Sequence, residues 1–287
     1  MLKLIVVVAS RRGEQCQGLD IRSLSSSSER KIRDMTEILL LTSFIGLSLG
    51  SFLNSCFYRI PRGIPLGKPR SFCPACRQTL AWFDLVPLVS YVVNGGKCRS
   101  CSSSIPASYP LTEIALCVLA VAFVLMYGLS LQALSSLMLC FLFLLIGRID
   151  WVHFVVPNIL VGTGFVVAFA LKLSTQADLL GDLSASIFSF VFLLIVRVIG
   201  DALARRPSMG MGDLKLAALV GFSLGLFNGC LAIWMAALGG TVYTILRKNA
   251  HEKRIPFGSF MAASTIILVL LEKDIQEIAD RWLNSIQ

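Results

Sequence analysis

Two aspartates stand beside long apolar runs, where a carboxylate is costly unless it is paired or takes part in chemistry. Asp150 ends one such run, and Asp213 opens another directly after Gly210 and Gly212. Two neighbouring carboxylates in a low dielectric share a proton, because both cannot easily ionise. The ionised one can activate water while the protonated one donates to a peptide carbonyl, as in aspartic proteases. The pair therefore indicates acid–base chemistry inside a membrane.

Each aspartate also has a structural interpretation. Asp213 would suit the N-cap of the helix that follows it, because a carboxylate there accepts backbone N–H groups. Asp150 would suit an interfacial ion pair with Arg148 or Arg197. These alternatives explain each residue singly, whereas the catalytic interpretation explains both together.

The composition is that of a membrane protein. Of the residues, 55% are hydrophobic and only 15% are charged, and the apolar runs approach the ~20 helical residues that cross a bilayer. The runs are continuous rather than alternating, so helices and not a β-barrel must satisfy the backbone hydrogen bonds. We predict an all-α polytopic membrane protein of about eight transmembrane helices, at residues 37–57, 111–127, 131–149, 155–173, 179–200, 214–227, 229–246 and 257–271.

Loop charge predicts the topology, because Lys and Arg accumulate in cytoplasmic loops. Residues 59–110 form a basic polar insert after the first helix, and placing it in the cytoplasm puts Arg148 and the basic loops at 205–206 and 247–254 on the same side. Asp150 and Asp213 then both lie near the cytoplasmic membrane edge. The net charge of +9 reflects this loop bias and does not indicate nucleic-acid binding.

Residues 1–34 break the charge pattern, because their basic residues would lie outside the cell. The serines at 25–28 are typical of disorder, and Met35 immediately precedes the first apolar run. We interpret 1–34 as a disordered or mis-assigned extension, with translation starting at Met35. The predicted divisions are then 35–58 for the first helix, 59–110 for the insert and 111–287 for a transmembrane peptidase domain.

Four of the nine cysteines form two C-x-x-C pairs inside the basic insert: Cys73, Cys76, Cys98 and Cys101. This spacing is typical of a four-thiolate zinc site. An insert of about 50 residues with few apolar side chains needs such a source of folding energy. Four thiolates leave no open position, so the zinc would be structural. Two disulfides or a dithiol redox pair are the alternatives, and a cytoplasmic insert disfavours both.

The chain resembles the type IV prepilin peptidases, bifunctional leader peptidases and N-methyltransferases of the GxGD aspartic protease class. The resemblance covers residues 35–271. It rests on the two aspartates, the two C-x-x-C pairs and the following segments: Gly50-Ser51-Phe52-Leu53-Asn54, Tyr58-Arg59-Ile60-Pro61, Trp82-Phe83-Asp84, Gly96-Lys97-Cys98, Tyr109-Pro110-Leu111-Thr112-Glu113, Val156-Pro157-Asn158, Gly210-Met211-Gly212-Asp213-Leu214-Lys215 and Ile255-Pro256-Phe257-Gly258.

The resemblance implies an activity, cofactors and partners. Asp150 and Asp213 match the family's catalytic pair, which removes the basic leader of prepilins or pseudopilins at the cytoplasmic face of the bacterial inner membrane. The new N-terminal amine is then methylated with S-adenosylmethionine, and the cysteine insert matches the region associated with that step. No Rossmann unit is visible in the sequence, so Asn54 and Glu113 are the candidates for contacts with the methyl donor.

One departure from the family concerns Pro157-Asn158, where many members carry Pro-Asp. Asp150 is therefore the carboxylate available in that segment. His153 could bond to the pair, although an interfacial histidine is often simply solvated. Lys215 is a candidate structural ion-pair partner.

Two rival functions remain at this point. An ion-coupled transporter also uses paired intramembrane carboxylates, but it predicts an internal repeat and midplane sites that the sequence does not show. A zinc-folded membrane adaptor without chemistry would tolerate Asp→Asn changes at both positions.

Overall fold

A computed structural model describes residues 21–175, 177–205, 207, 209–246 and 255–286, and of residues 21–31 and 273–286 only the backbone is described. These residues are helical apart from loops and two isolated β-bridges. The helices are α1 (Ile21–Arg59), α2 (Val89–Val93), α3 (Ser108–Tyr127), α4 (Leu131–His153), α5 (Asn158–Thr175), α6 (Leu179–Ala204), α7 (Met211–Leu246) and α8 (Phe257–Ile286). Short 3₁₀ turns cover Ile60–Arg62 and Trp82–Leu85.

Six of these helices are long and apolar enough to cross a membrane, and the first 16 residues of α8 form a shorter apolar segment. Large hydrophobic side chains also cover the outside of the bundle, among them Phe44, Val118, Phe188 and Phe227. Such a surface suits lipid, because an exposed apolar area of this kind is rare on soluble monomers. This confirms the prediction of an all-α polytopic membrane protein, while the number of eight spans stays a prediction.

Helix α4 is the centre of the bundle. Most of its residues are buried, and it packs against α3, α5 and α8. Helix α7 packs against α5, α6 and α8. The central position of α4 matters because it carries Asp150.

Helix α7 reverses direction at Gly225. Its φ of 75° and ψ of −178° belong to a region that essentially only glycine occupies. A Cβ on Gly229 would lie 3.1 Å from the Cα of Gly221, although eight residues of a straight helix span about 12 Å. The two halves of α7 therefore run back along each other. The turn lies at Gly225, inside the predicted run 214–227, and not at Asn228 between the runs 214–227 and 229–246.

Several helix ends differ from the apolar runs. Helix α4 continues to His153, so Asp150 lies inside the helix rather than after it, and Phe154 ends it with a left-handed conformation. Helix α5 begins at Asn158 because Pro157 precedes it, and α6 continues to Ala204. Residues 21–34 are helical in the structure where the sequence predicts disorder, whereas residues 1–20 lie outside the described residues.

The chain divides into two compact units, Met1–Leu41 and Thr42–Gln287. The described part of the first unit is the beginning of α1. Every site described below belongs to the second unit.

Candidate functional site

The side chain of Asp150 is held by the first turn of α8. Only 5% of the residue is exposed. Its Oδ2 accepts hydrogen bonds from the backbone N–H of Ser259, at 2.8 Å, and lies 3.1 Å from the Ser259 hydroxyl. That hydroxyl is also 2.8 Å from the carbonyl oxygen of Gly147, one turn earlier in α4. Ser259 thereby ties the carboxylate to two helices.

Asp213 lies close to Asp150, with Gly258 between the two. A Cβ on Gly258 would be 3.0 Å from Asp150 Oδ2 and 3.4 Å from Asp213 Oδ1. Both distances start from the same Cβ position, so Asp150 Oδ2 and Asp213 Oδ1 can be no further apart than the sum of 3.0 Å and 3.4 Å. The backbone N–H of Gly258 also interacts with both carboxylates. The fold therefore brings together two aspartates that are 63 positions apart in the sequence.

The two glycines before Asp213 let the backbone lie close to neighbouring groups. A Cβ on Gly212 would lie 2.9 Å from the Cβ of Val156, which is too close for any other residue without a shift. The backbone of Gly210 donates towards the Asp213 carboxylate. Gly212 therefore lets α7 begin directly against the segment that follows α4.

The structural interpretations of the two aspartates are not supported by the contacts. Helix α7 begins at Met211, so Asp213 lies within its first turn and is not the N-cap. Arg148 bonds to other polar side chains described below, and Arg197 Nε lies 3.5 Å from Asp201. Neither arginine neutralises Asp150.

Two further residues near the aspartates have other partners. Lys215 Nζ donates to the side-chain oxygen of Asn158 at 2.9 Å. The predicted ion pair of Lys215 is therefore a hydrogen bond to Asn158, the residue found where many members of the family carry aspartate. The Nε2 of His153 is buried without a hydrogen-bond partner among the described residues. The histidine ring packs near Phe57, with 6.0 Å between ring centroids, and does not bond to the aspartates.

A polar network connects α1, α3 and α4 near the aspartates. Thr112 donates to the side-chain oxygen of Asn54 at 2.9 Å, and the Arg148 guanidinium donates to both residues. The guanidinium carbon lies 4.4 Å above the Phe57 ring. Since Arg148 is half a helical turn from Asp150, Asn54 and the aspartates lie at the same end of the bundle.

Glu113 joins α3 to the insert. Its carboxylate accepts a 2.8 Å hydrogen bond from the backbone N–H of Leu88. Helices α1 and α3 touch here, because a Cβ on Gly50 would lie 2.4 Å from the Cα of Glu113. Small residues permit such backbone contact between membrane helices.

The four cysteines of the insert converge, with their sulfur atoms all within 4.8 Å of one another. The two pairs form similar loops. The N–H groups of Cys73 and Cys98 donate to the carbonyl oxygens of Gln78 and Ser103, at 2.9 Å and 2.8 Å respectively. The residue after each second cysteine has a positive φ. The cluster follows the first helix, as the sequence predicts.

The donor set fits a tetrahedral metal ion. Zinc–sulfur bonds of about 2.3 Å place the sulfurs roughly 3.8 Å apart, and Cys73 Sγ lies 3.9 Å from Cys101 Sγ. Hydrogen bonds from the backbone and hydroxyl of Ser103 lower the pKa of Cys101 to about 6. Although the N–H of Gln78 acts the other way, burial and the neighbouring thiols raise the pKa of Cys76 to about 11. All four cysteines could be thiolates together only with a cation between them, and their sulfur atoms are close enough to share one.

The fold and these two sites define a family of membrane enzymes. The Bacterial Peptidase A24 N-terminal domain matches residues 44–127, and the Type IV leader peptidase family matches residues 137–245. The chain belongs to this family of type IV leader peptidases.

Three relatives match this chain over most of their own length. The prepilin leader peptidase/N-methyltransferase of Bacillus subtilis (strain 168) is 30% identical over 239 residues, which cover 81% of this chain and 94% of the relative. The protein of that name from Vibrio cholerae serotype O1 is 34% identical, covering 65% and 78%, and the one from Pseudomonas aeruginosa is 29% identical, covering 81% and 90%. No solved structure matches significantly.

Ser259 is a site residue that sequence reasoning missed. It directly follows the segment Ile255-Pro256-Phe257-Gly258, which carries part of the family resemblance. A serine in the first turn of a helix is ordinarily explained by capping, so only the fold shows that it contacts Asp150, 109 residues away.

Proposed function

We propose that this chain is an intramembrane aspartic endopeptidase that removes the basic leader of prepilins or pseudopilins and then methylates the new N-terminus. The observation that supports the proposal best is the approach of Asp150 to Asp213 on either side of Gly258. A carboxylate pair of this kind can share one proton.

In the proposed cleavage, the ionised aspartate takes a proton from water, and the resulting hydroxide attacks the scissile carbonyl. The protonated aspartate donates to the carbonyl oxygen and stabilises the tetrahedral intermediate. Collapse of that intermediate breaks the C–N bond. The leaving amine takes up the proton that the first aspartate removed from water, and the second aspartate regains its own from the hydroxyl that becomes the new carboxyl group. The two roles can be exchanged, because the pair shares its proton.

The site would face the cytoplasm. Loop charge places the insert and the basic loops on that side, and the Asn54–Thr112–Arg148 network joins the insert end of α1 and α3 to the helix that carries Asp150. A prepilin with its apolar stem in the bilayer and its basic leader in the cytoplasm would present the scissile bond at this depth.

Two cofactors are proposed. Cys73, Cys76, Cys98 and Cys101 would hold a structural zinc ion, which stabilises the insert and takes no part in cleavage. S-adenosylmethionine supplies an electrophilic methyl group when bound. The chain's part is to bind it beside the free amine released by cleavage, with Asn54 and Glu113 as candidate contacts.

The test is cleavage of a prepilin in membranes that contain Asp150→Asn or Asp213→Asn. We expect each variant to lose at least about 10³-fold in rate, because a shared-proton pair fails when either member is replaced. Asp178→Asn, an aspartate that caps α6 through the N–H of Leu180, is the matched control and should cleave normally. Full activity in either catalytic variant would disprove the mechanism.

The alternative is an ion-coupled membrane transporter that uses the same carboxylate pair. Proton-coupled uptake of a solute by vesicles containing the chain, together with silent Asp→Asn variants in the cleavage assay, would favour it.

A further inference from the structure

A cavity lies between the cysteine loops of the insert and the adjoining ends of α1 and α3. Its volume is about 460 Å³, within the range of ~300–1,000 Å³ typical of small-molecule sites. Cys73 and Cys98 line one side, and Asn54 and Glu113 line the other. The cavity is therefore large enough for a nucleoside-sized ligand, and the cysteine loops form part of its wall.

Glu113 places an uncompensated carboxylate in this cavity. The residue is only 7% exposed, and its hydrogen bonds come from the Leu88 N–H and the Ser51 hydroxyl. Among the described residues, no Lys, Arg or His nitrogen lies within 4.0 Å of it. A buried carboxylate without a cation is costly, so a positively charged ligand would be stabilised there.

The other charged side chains along the cavity already have partners or lie in solvent. The guanidinium of Arg59 donates to three carbonyl oxygens of the loop at 65–69. Arg99 lies 3.7 Å from Asp84 and 4.4 Å above the Phe83 ring, and Lys97 is exposed. Glu113 is thus the carboxylate of the cavity that has no cationic partner among the described residues.

We infer that this cavity binds S-adenosylmethionine with its sulfonium group beside Glu113. The inference rests on the proposed methyltransferase activity and places the donor for it. Tyr91 lines the same cavity and offers an aromatic face for an adenine ring. Asn54, also in the wall, accepts hydrogen bonds from Thr112 and Arg148, so the donor site adjoins the helix that carries Asp150. An amine released at the aspartates would emerge at the same end of the bundle as the donor.

The sulfonium charge provides a direct test. S-adenosylhomocysteine lacks the donor's methyl group and sulfonium charge but keeps its adenosine and amino-acid parts. Binding of each compound is measured by equilibrium dialysis with the full-length, zinc-loaded chain in detergent. For Glu113→Gln we expect at least about a 10-fold loss of affinity for S-adenosylmethionine and less than a 3-fold change for S-adenosylhomocysteine, because only the first loses a charge interaction. Glutamine can still accept the Leu88 N–H, and zinc content and thermal unfolding check the fold.

Asp178→Asn is the control for loss of a carboxylate elsewhere in the chain. Asp178 caps α6 and does not line the cavity, so both affinities should change less than 3-fold. If Glu113→Gln weakens binding of both compounds equally, the sulfonium assignment is wrong. If it weakens neither, the assignment is also wrong, and Glu113 serves only as the acceptor for the Leu88 N–H. If the variant instead weakens binding of a processed pilin peptide through its N-terminal amine, the carboxylate serves the methyl acceptor and the donor assignment is wrong. A wild-type chain that binds neither nucleoside and methylates no pilin would refute the proposed methyltransferase function itself.

Discussion

Asp150 and Asp213 share Gly258 as a neighbour, but their other hydrogen-bond donors differ. The hydroxyl and N–H of Ser259 both meet one oxygen of Asp150, whereas Asp213 interacts with backbone groups of Gly210 and Gly258. Ser259 is therefore a positioning residue for Asp150, since its hydroxyl also reaches the Gly147 carbonyl. A side chain held from two directions keeps its carboxylate oriented towards the second aspartate.

Ser259→Ala should lower the rate constant of prepilin cleavage by about 10- to 100-fold, because hydrogen bonds to charged groups contribute about 1.5–3 kcal/mol. KM should change little, since the serine orients a catalytic group and does not bind the leader. Both constants are measured in detergent with a purified prepilin. Ser264→Ala, in the same helix and bonded to the Ala232 carbonyl, is the control. A rise in KM alone would contradict the positioning role.

The two aspartates could be found from sequence because a carboxylate in an apolar run has few inexpensive explanations. The cysteines could be found because their spacing reflects tetrahedral geometry. Ser259 and the role of Arg148 could not, because ordinary local contacts account for both residues. Serine suits a helix start, and an arginine suits a membrane edge. Their actual partners, Asp150 and Asn54, lie 109 and 94 residues away in the sequence.

At the scale of helices, one ion pair fixes the opposite end of the bundle from the aspartates. Lys172 of α5 donates to Asp182 of α6 at 2.9 Å, and the exposed fractions of the two side chains are 12% and 9%. A Cβ on Gly225, where α7 reverses, would lie 3.6 Å from the carboxylate of Asp182. The pair therefore joins α5, α6 and the turn of α7.

Lys172→Met should destabilise the protein by about 3–5 kcal/mol, because it leaves Asp182 as a buried charge without its partner. The double variant Lys172→Met, Asp182→Leu should recover part of that loss, since it removes both charges of the pair but leaves Glu272, which also interacts with Lys172. Thermal unfolding in detergent, followed by circular dichroism, measures both effects. A double variant no more stable than the single one would show that the pair does not act as a unit.

Helix positions follow from hydropathy, whereas helix ends do not. Apolar runs stop where polar residues begin, but the backbone hydrogen bonds of α4 continue past Asp150 to His153. Pro157, which cannot donate a backbone hydrogen bond, sets the start of α5 instead. The sequence predicts a break at Asn228, three residues after the actual turn at Gly225, because a glycine in an apolar sequence does not reveal its own φ.

For the whole molecule, the insert and the membrane bundle are expected to depend on different forces. The bundle has a continuous apolar core that includes Leu139, Phe143 and Leu216, while the buried residues of the segment between α1 and α3 include only Cys73 among hydrophobic ones. A metal ion would supply the stability that this segment lacks. Removal of the metal should therefore affect the two proposed activities unequally.

Cys73→Ser with Cys98→Ser removes one ligand from each C-x-x-C pair and should reduce bound zinc to less than about 0.1 per chain, because two remaining thiolates hold the ion too weakly. Methylation should fall first, since the cysteine loops form part of the wall of the cavity beside Glu113, while the Asp150–Asp213 pair keeps its packing within the bundle. Metal content, cleavage of a prepilin and methylation of an already processed pilin are compared in one preparation. Cys140→Ser, in the buried core of α4, is the control for loss of a thiol that binds no metal. Equal losses of cleavage and methylation would instead show that the insert positions the substrate for both steps.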